Sequence, residues 1–247
     1  MIFLYTVIFC IIGYLLGSLI FGQFIAWAKN KDLTKIGSSN VGATNVRREF
    51  GSGMGLLVSV LDALKGMIAI FICWAIYGVT IFKINSSANL YPLVYLAGVF
   101  AVIGHCYPVQ YLCALVKYGV DKALMWKGGK GVSTSGGVLF SVSPYLGLIA
   151  FLIWILIVLI DRRVSLGSLF CMTIATLFIF VPQIGSFYLF DHHWVYTNIN
   201  IDFDLYTKAP WLIGATFILL MFNNCLLTFK HKSNIQKIIN HQESKAF

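Results

Sequence analysis

Long stretches without charge constrain this chain more than any other feature. Residues 1–28, 84–116, 131–160, 164–190 and 209–229 contain no Asp, Glu, Lys or Arg, and a sixth tract, 50–82, contains only Asp62 and Lys65. About 20 apolar residues are enough for a helix to cross the hydrocarbon, and helices satisfy their own backbone polar groups there. Only 11% of the residues are charged, against roughly 25% in a soluble domain. A soluble enzyme is excluded. The chain reads as an all-α polytopic membrane protein, with 1–247 forming a single integral membrane domain.

The formal charge of +9 is then read first as topology, because loop Lys and Arg fix orientation, and nucleic acid is not expected as a partner. The basic residues cluster at 29, 31, 35, 47, 48; at 117, 122, 127, 130; at 162, 163; and at 230, 232, 237, 245. All four clusters can be cytoplasmic only if 131–160 crosses twice. Pro144, preceded by Ser141-Val142-Ser143, supplies the break, giving a short half 131–143 and a longer half 144–160. About seven transmembrane helices result, with the N-terminus outside and the C-terminus cytoplasmic. Lys83 and Lys208 then lie outside, with an outer loop 186–208 carrying Asp191, Asp202 and Asp204. Thirteen residues give roughly 20 Å of helix, so the short pass needs its Gly/Ser-rich start buried in protein or lining a polar cavity. The six cysteines, in or beside apolar tracts without metal-ligand spacing, read as packing residues. No metal or cofactor is expected.

Three segments on the inferred cytoplasmic side combine glycine, hydroxyls and cations. The first runs Gly37-Ser38-Ser39-Asn40-Val41-Gly42-Ala43-Thr44-Asn45-Val46-Arg47-Arg48, where exposed N–H groups, hydroxyls and an Arg fork suit anionic oxygens. The second is Lys127-Gly128-Gly129-Lys130-Gly131, followed by Val-Ser-Thr-Ser-Gly-Gly and reached after Gly104-His105-Cys106-Tyr107-Pro108. A Gly-rich loop with two lysines at a helix start can cradle phosphate, although it lacks the P-loop pattern. The third is split between Arg162-Arg163-Val164-Ser165-Leu166-Gly167-Ser168 and His231-Lys232-Ser233-Asn234-Ile235. Taken singly, each also reads as an ordinary loop or helix end, and His105 as a hydrogen-bonded interior histidine. Asp62 and Lys65, three apart on one helical face, are expected to pair.

These residues resemble a known family. Leu16-Gly17-Ser18-Leu19-Ile20-Phe21-Gly22, the segment from Gly37 to Arg48, Leu61-Asp62-Ala63-Leu64-Lys65-Gly66, Gly104-His105-x-x-Pro108-Val109, the two-lysine glycine loop, Ser165-Leu166-Gly167-Ser168 and His231-x-x-Asn234-Ile235 are similar, in order, to the bacterial membrane glycerol-3-phosphate acyltransferases that use acyl phosphate. The resemblance implies a seven-pass protein of the bacterial cytoplasmic (inner) membrane with its active site at the cytoplasmic face. It implies transfer of a fatty acyl group from acyl phosphate to the 1-hydroxyl of sn-glycerol 3-phosphate, giving lysophosphatidic acid and phosphate, the first step of phospholipid synthesis. The implied partners are these two substrates and membrane lipid.

Carried over by motif position, Ser38, Arg48, Gly128, Gly129, Lys130, Gly131 and Ser168 are implied to bind substrate phosphate. His231 and Asn234 are implied to be catalytic, orienting the hydroxyl or stabilising the developing oxyanion. Glu243 matches the family's C-terminal acidic residue and is expected to be structural. Two departures stand out: Val109–Trp126 lies as an insertion between the histidine motif and the glycine loop, so His105 and that loop are not expected to be rigidly adjacent, and the outer loop is long. No H-x-x-x-x-D occurs, since Gln110 and Gln236 stand five residues after His105 and His231. That argues against the His–Asp acyltransferases that use thioesters. Substrate phosphate is expected to help accept the hydroxyl proton. A transporter for a phosphorylated solute would instead need polar residues on both sides of a midplane site.

Overall fold

The computed structural model describes residues 2–77, 92–181, 210–243 and 245. Among them every regular element is helical. The first tract forms α1 (Ile2–Gly17) and α2 (Phe21–Ala28), followed by α3 (Ala43–Phe50) and α4 (Ser52–Ile76). After the undescribed stretch come α5 (Pro92–Cys106), α6 (Val109–Tyr118) and the single turn α7 (Val120–Ala123). The glycine loop leads into α8 (Val132–Val142), α9 (Pro144–Asp161) and α10 (Val164–Leu177). The final pair is α11 (Pro210–Lys230) and α12 (Lys232–Ile239). The outer loop 186–208, with Asp191, Asp202, Asp204 and Lys208, lies outside the described residues, as does Lys83.

The molecule is apolar outside. Leu56, Ile160 and Ile218 are at least two-thirds exposed, while Thr134, Ser141, Thr176, Thr216 and Asn45 are fully buried. That inversion suits lipid as the surrounding solvent. Four units are long and apolar enough to cross a membrane: α1 with α2, then α4, α9 and the Ile213–Lys230 part of α11. A fifth counts only if α5 and α6 are joined across a 47° bend, and α8 and Val164–Phe180 are shorter apolar helices.

The break at Pro144 falls where the sequence places it. Ser143 is extended at φ −154° and ψ 129°, and Pro144 opens α9 at a position where its missing N–H costs nothing. The 11-residue α8 is about 16 Å long, half the hydrocarbon thickness, and is enclosed by protein along most of its length. A Cβ on Gly66 would come within 2.8 Å of the Thr134 carbonyl, and one on Gly137 would collide with the Ala63 carbonyl. Small residues thus let α4 and α8 meet backbone to backbone, the main route to tight packing where lipid tails remove the hydrophobic drive between helices. The same device joins α1 to α5, where Gly13 and Gly17 abut the Ala97 and Ala101 backbones.

The charge-free tract 84–116 does not form one straight helix among the described residues. Its helix stops at Cys106 because Pro108 cannot donate a hydrogen bond and takes an extended conformation, φ −60° and ψ 151°. The bend is tied to α1: the Tyr14 hydroxyl donates to the Tyr107 carbonyl at 2.8 Å, and the Val109 N–H donates to Ser18 Oγ at 3.0 Å.

Candidate active site

The first loop is organised by two side chains that accept and donate within it. Gln23 Nε2, the Thr34 N–H and the Thr34 hydroxyl all donate to Asp32 Oδ1, at 2.8, 3.0 and 2.7 Å. Burial opposes ionisation of Asp32, but these bonds hold its carboxyl below the usual range. Asn45, fully buried, accepts the Ser38 N–H on Oδ1 at 3.0 Å and donates Nδ2 to the Ile36 carbonyl at 3.0 Å. A side chain at Gly37 would strike Asn45 Oδ1, and Gly37 also has φ +57°, so the turn needs glycine on both counts. The loop presents Ser38 at the surface and hands the chain to α3, whose last turn carries Arg47 and Arg48.

The glycine loop is seated on the end of α5. The Gly129 N–H donates to the His105 carbonyl at 3.0 Å, and Cβ atoms on Gly128 and Gly129 would collide with the His105 carbonyl and the His105 ring. This corrects the expectation that the insertion separates the two motifs. Residues 109–126 leave as α6, turn through α7 and a 3-10 turn at Leu124–Trp126, and return the chain to where it departed. Trp126 closes the excursion by stacking edge-on against Trp27 of α2, with centroids 4.9 Å apart. Gly131 then adopts the left-handed conformation, φ +84° and ψ 4°, and opens α8. The free N–H groups of that helix start lie directly behind Lys130, giving a positive helix end and a cation together.

Lys130 connects this loop to the C-terminal segment. Its ammonium donates to Asn234 Oδ1, while Asn234 Nδ2 donates to Ser165 Oγ at 2.5 Å and to Glu243 Oε1 at 3.1 Å. Burial lowers the Lys130 pKa to about 8; Glu243 opposes the shift, and Lys237, Lys127 and Arg48 add to it. Arg48 therefore shares the same positive field. His231, 2% exposed, sits between α11 and α12 with Nδ1 2.8 Å from the Leu227 carbonyl. A carbonyl only accepts, so the proton is on Nδ1 and Nε2 keeps a free lone pair. Burial, then the Lys130 charge, lowers the His231 pKa to about 4 against the Leu227 bond. Lys230 is pinned beside it, donating to the Cys106 carbonyl at 3.0 Å over the Tyr107 ring.

The second and third segments thus converge, with Lys130, Asn234, Ser165 and Glu243 in contact. The first is linked to them through the Arg48 charge acting on Lys130, His231 is likewise coupled to Lys130, and Ser38 lies outside that contact set. Ser168 is not in that contact set: its hydroxyl donates to the Val164 carbonyl at 2.8 Å and accepts from Trp154 Nε1 at 3.3 Å. Sequence reasoning missed Asn45 as the first loop's organiser. Of the Ser165 and Ser168 pair, between which the sequence does not decide, Ser165 is the hydroxyl that meets Asn234. The Asp62–Lys65 pair is present, with Nζ 2.9 Å from Oδ1, but a third member had gone unseen: His105 Nδ1 lies 2.7 Å from Lys65 Nζ. His105 is 40 residues from Lys65 and on another helix, so no local spacing signals the contact.

A family model described as glycerol-3-phosphate acyltransferase matches residues 7–241. Among curated relatives, the glycerol-3-phosphate acyltransferase of Malacoplasma penetrans is 34% identical over 98% of this chain and 94% of the relative. That of Aquifex aeolicus is 34% identical, covering 98% of both chains. Among solved structures, PlsY, described as an integral membrane glycerol 3-phosphate acyltransferase, matches in its glycerol 3-phosphate form with a TM-score of 0.69 and 33% identity. That match covers 97% of this chain and 94% of the other. The lysophosphatidic acid form matches with a TM-score of 0.68 and 32% identity.

Proposed function

The chain belongs to the glycerol-3-phosphate acyltransferase family, and from that premise we propose how its residues carry out acyl transfer and from which donor. As a membrane glycerol-3-phosphate acyltransferase it makes lysophosphatidic acid, the first step of phospholipid synthesis. The donor is acyl phosphate. The hydroxyl oxygen at carbon 1 of glycerol 3-phosphate attacks the acyl carbonyl, the carbonyl–oxygen bond to phosphate breaks, and inorganic phosphate leaves with the bonding electrons. Such a leaving group needs little protonation, so the work is to neutralise phosphate, align the hydroxyl and stabilise the tetrahedral oxygen.

The observation that carries this reading is the contact of Lys130 with Asn234 at the start of α8. Lys130, Arg48 and the N–H groups of Gly128 and Gly131 bind phosphate, Gly129 holds the loop through the His105 carbonyl, and Ser38 adds a surface donor; Ser165 or Ser168 supplies the hydroxyl from α10. Asn234 keeps the Lys130 ammonium aimed at the phosphate. His231 accepts the substrate hydroxyl on Nε2 and orients it. At a pKa of about 4 it is a poorer proton acceptor than a phosphate dianion, whose conjugate acid has a pKa of about 6. The proton therefore goes to substrate phosphate. The chain crosses the bacterial cytoplasmic membrane about seven times, with α8 as a half-length pass and the site on the cytoplasmic side, and the lipid product leaves sideways.

Purified protein offered acyl phosphate, acyl-CoA and acyl carrier protein in competition, with glycerol 3-phosphate as acceptor, tests the donor. Lysophosphatidic acid forms from acyl phosphate alone. Acylation only from thioesters contradicts the assignment.

A further inference from the structure

Asp62, Lys65 and His105 are each 2–3% exposed and lie in helices α4 and α5, where ionisable groups are costly and are retained for a purpose. None of them contacts Lys130 or Asn234 in the hydrogen-bonded set described above. The Lys65 ammonium has three protons and no acceptor capacity. Three groups surround it: the Leu19 carbonyl at 2.6 Å, His105 Nδ1 at 2.7 Å and Asp62 Oδ1 at 2.9 Å. The carbonyl accepts one proton and Asp62 Oδ1 is an ion partner; Asp62 Oδ1 also lies 3.5 Å from His105 Nδ1, but a proton on Nδ1 would face the ammonium's own protons at 2.7 Å. His105 Nδ1 is therefore an acceptor, and the ring proton is on Nε2. Nε2 is the atom against which a Cβ on Gly129 would collide, and the main chain of the same histidine accepts the Gly129 N–H.

We infer that Asp62, Lys65 and His105 are positioning residues for the phosphate loop: Lys65, held by Asp62 and the Leu19 carbonyl, fixes His105 as its Nε2–H tautomer, and His105 sets the height and orientation of Gly128 and Gly129. The ring edge fills the space above Gly129, and the His105 carbonyl anchors its N–H. With the Gly129 N–H committed to the His105 carbonyl and its Cα face against the ring, the loop is held in one orientation, which sets where Lys130 and the α8 start meet a bound phosphate. Because Lys65 also bonds the Leu19 carbonyl at the α1–α2 break, the same ammonium ties the first cytoplasmic hairpin to the glycine loop.

The effect on phosphate binding rests on the acyltransferase reading, but the tautomer does not, so two measurements separate them. Nitrogen-15 NMR of histidine-labelled protein, with His105 assigned by its loss in His105→Gln, reads the tautomer directly at neutral pH. The expected form is Nε2–H in the native protein. In the Asp62→Asn/Lys65→Met double variant, which removes both charges and leaves no unpaired ion, that preference is lost. In kinetics, His105→Leu and the double variant raise KM for glycerol 3-phosphate about tenfold with kcat nearly unchanged, the pattern of lost uniform binding. His105→Gln, whose amide can accept from Lys65 and donate toward Gly129, recovers most of the loss. A native Nδ1–H tautomer overturns the inference. So does a fall in kcat with KM unchanged, which reports a smaller folded fraction only. A native protein that acylates no glycerol 3-phosphate contradicts the functional reading and leaves the tautomer result standing.

Discussion

At the scale of single residues, the site is a balance between burying cations and needing their charge. Lys130 has a pKa lowered to about 8 by burial, so below that pH it is protonated and able to hold phosphate, and above it the neutral fraction grows. His231, at about 4, is neutral throughout the physiological range. A pH profile of kcat/KM should therefore fall on the alkaline side near 8 and on the acid side at about 6, where substrate phosphate takes up its proton, and the acid limb should be unchanged in a His231→Gln enzyme. Asn234→Ala removes a charge-assisted hydrogen bond to Lys130, for which such bonds contribute about 1.5–3 kcal/mol, and should lower kcat/KM about 10- to 100-fold. Ser165→Ala, which leaves Asn234 Nδ2 without its short partner, should lower activity more than Ser168→Ala, whose hydroxyl bonds within its own helix. The sequence made the segments legible because glycine, hydroxyl and cation together have few other uses in a membrane protein. It could not give the direction of each side chain, which is why Ser165 and Ser168, three apart, were not separable and Asn45 went unnoticed.

At the scale of elements, a short buried helix carries the glycine loop. Its position depends on small residues at one face only, and neighbouring glycines test this. Gly136 has open space where a Cβ would go, whereas Gly137 faces the Ala63 carbonyl. Gly136→Ala should stabilise by about 0.5–1 kcal/mol through helix propensity, and Gly137→Ala should destabilise by about 1–3 kcal/mol through overpacking. Thermal unfolding in detergent distinguishes the two signs. Pro144 was readable as the break ahead of α9 because proline in a helix interior has one physical consequence. The bend at Tyr107–Pro108 follows the same rule but was overlooked, since an uninterrupted apolar tract looks like one pass. The return of the 109–126 insertion to His105 is a tertiary closure through Trp126 and Trp27, and no periodicity in the sequence encodes it.

At the scale of the whole molecule, one asymmetry governs both topology and chemistry. The proposed topology puts the basic clusters and glycine-rich segments on one side, where Lys130, Asn234, Ser165 and the α8 start meet. Cys113 is exposed on α6, within the segment carrying Lys117 and Lys122. In a single-cysteine background it should react with a membrane-impermeant maleimide in inverted vesicles and not in right-side-out ones; the reverse labelling contradicts the orientation. The central claim is direct acyl transfer at one cytoplasmic phosphate site, with no acyl-enzyme. Rapid-quench single turnover with excess enzyme over acyl phosphate tests it most directly, by following phosphate and lysophosphatidic acid together. The account predicts that both appear with the same rate constant and only when glycerol 3-phosphate is present. A burst of phosphate ahead of the ester, or an acyl group trapped on Ser38, Ser165 or Ser168, would contradict it.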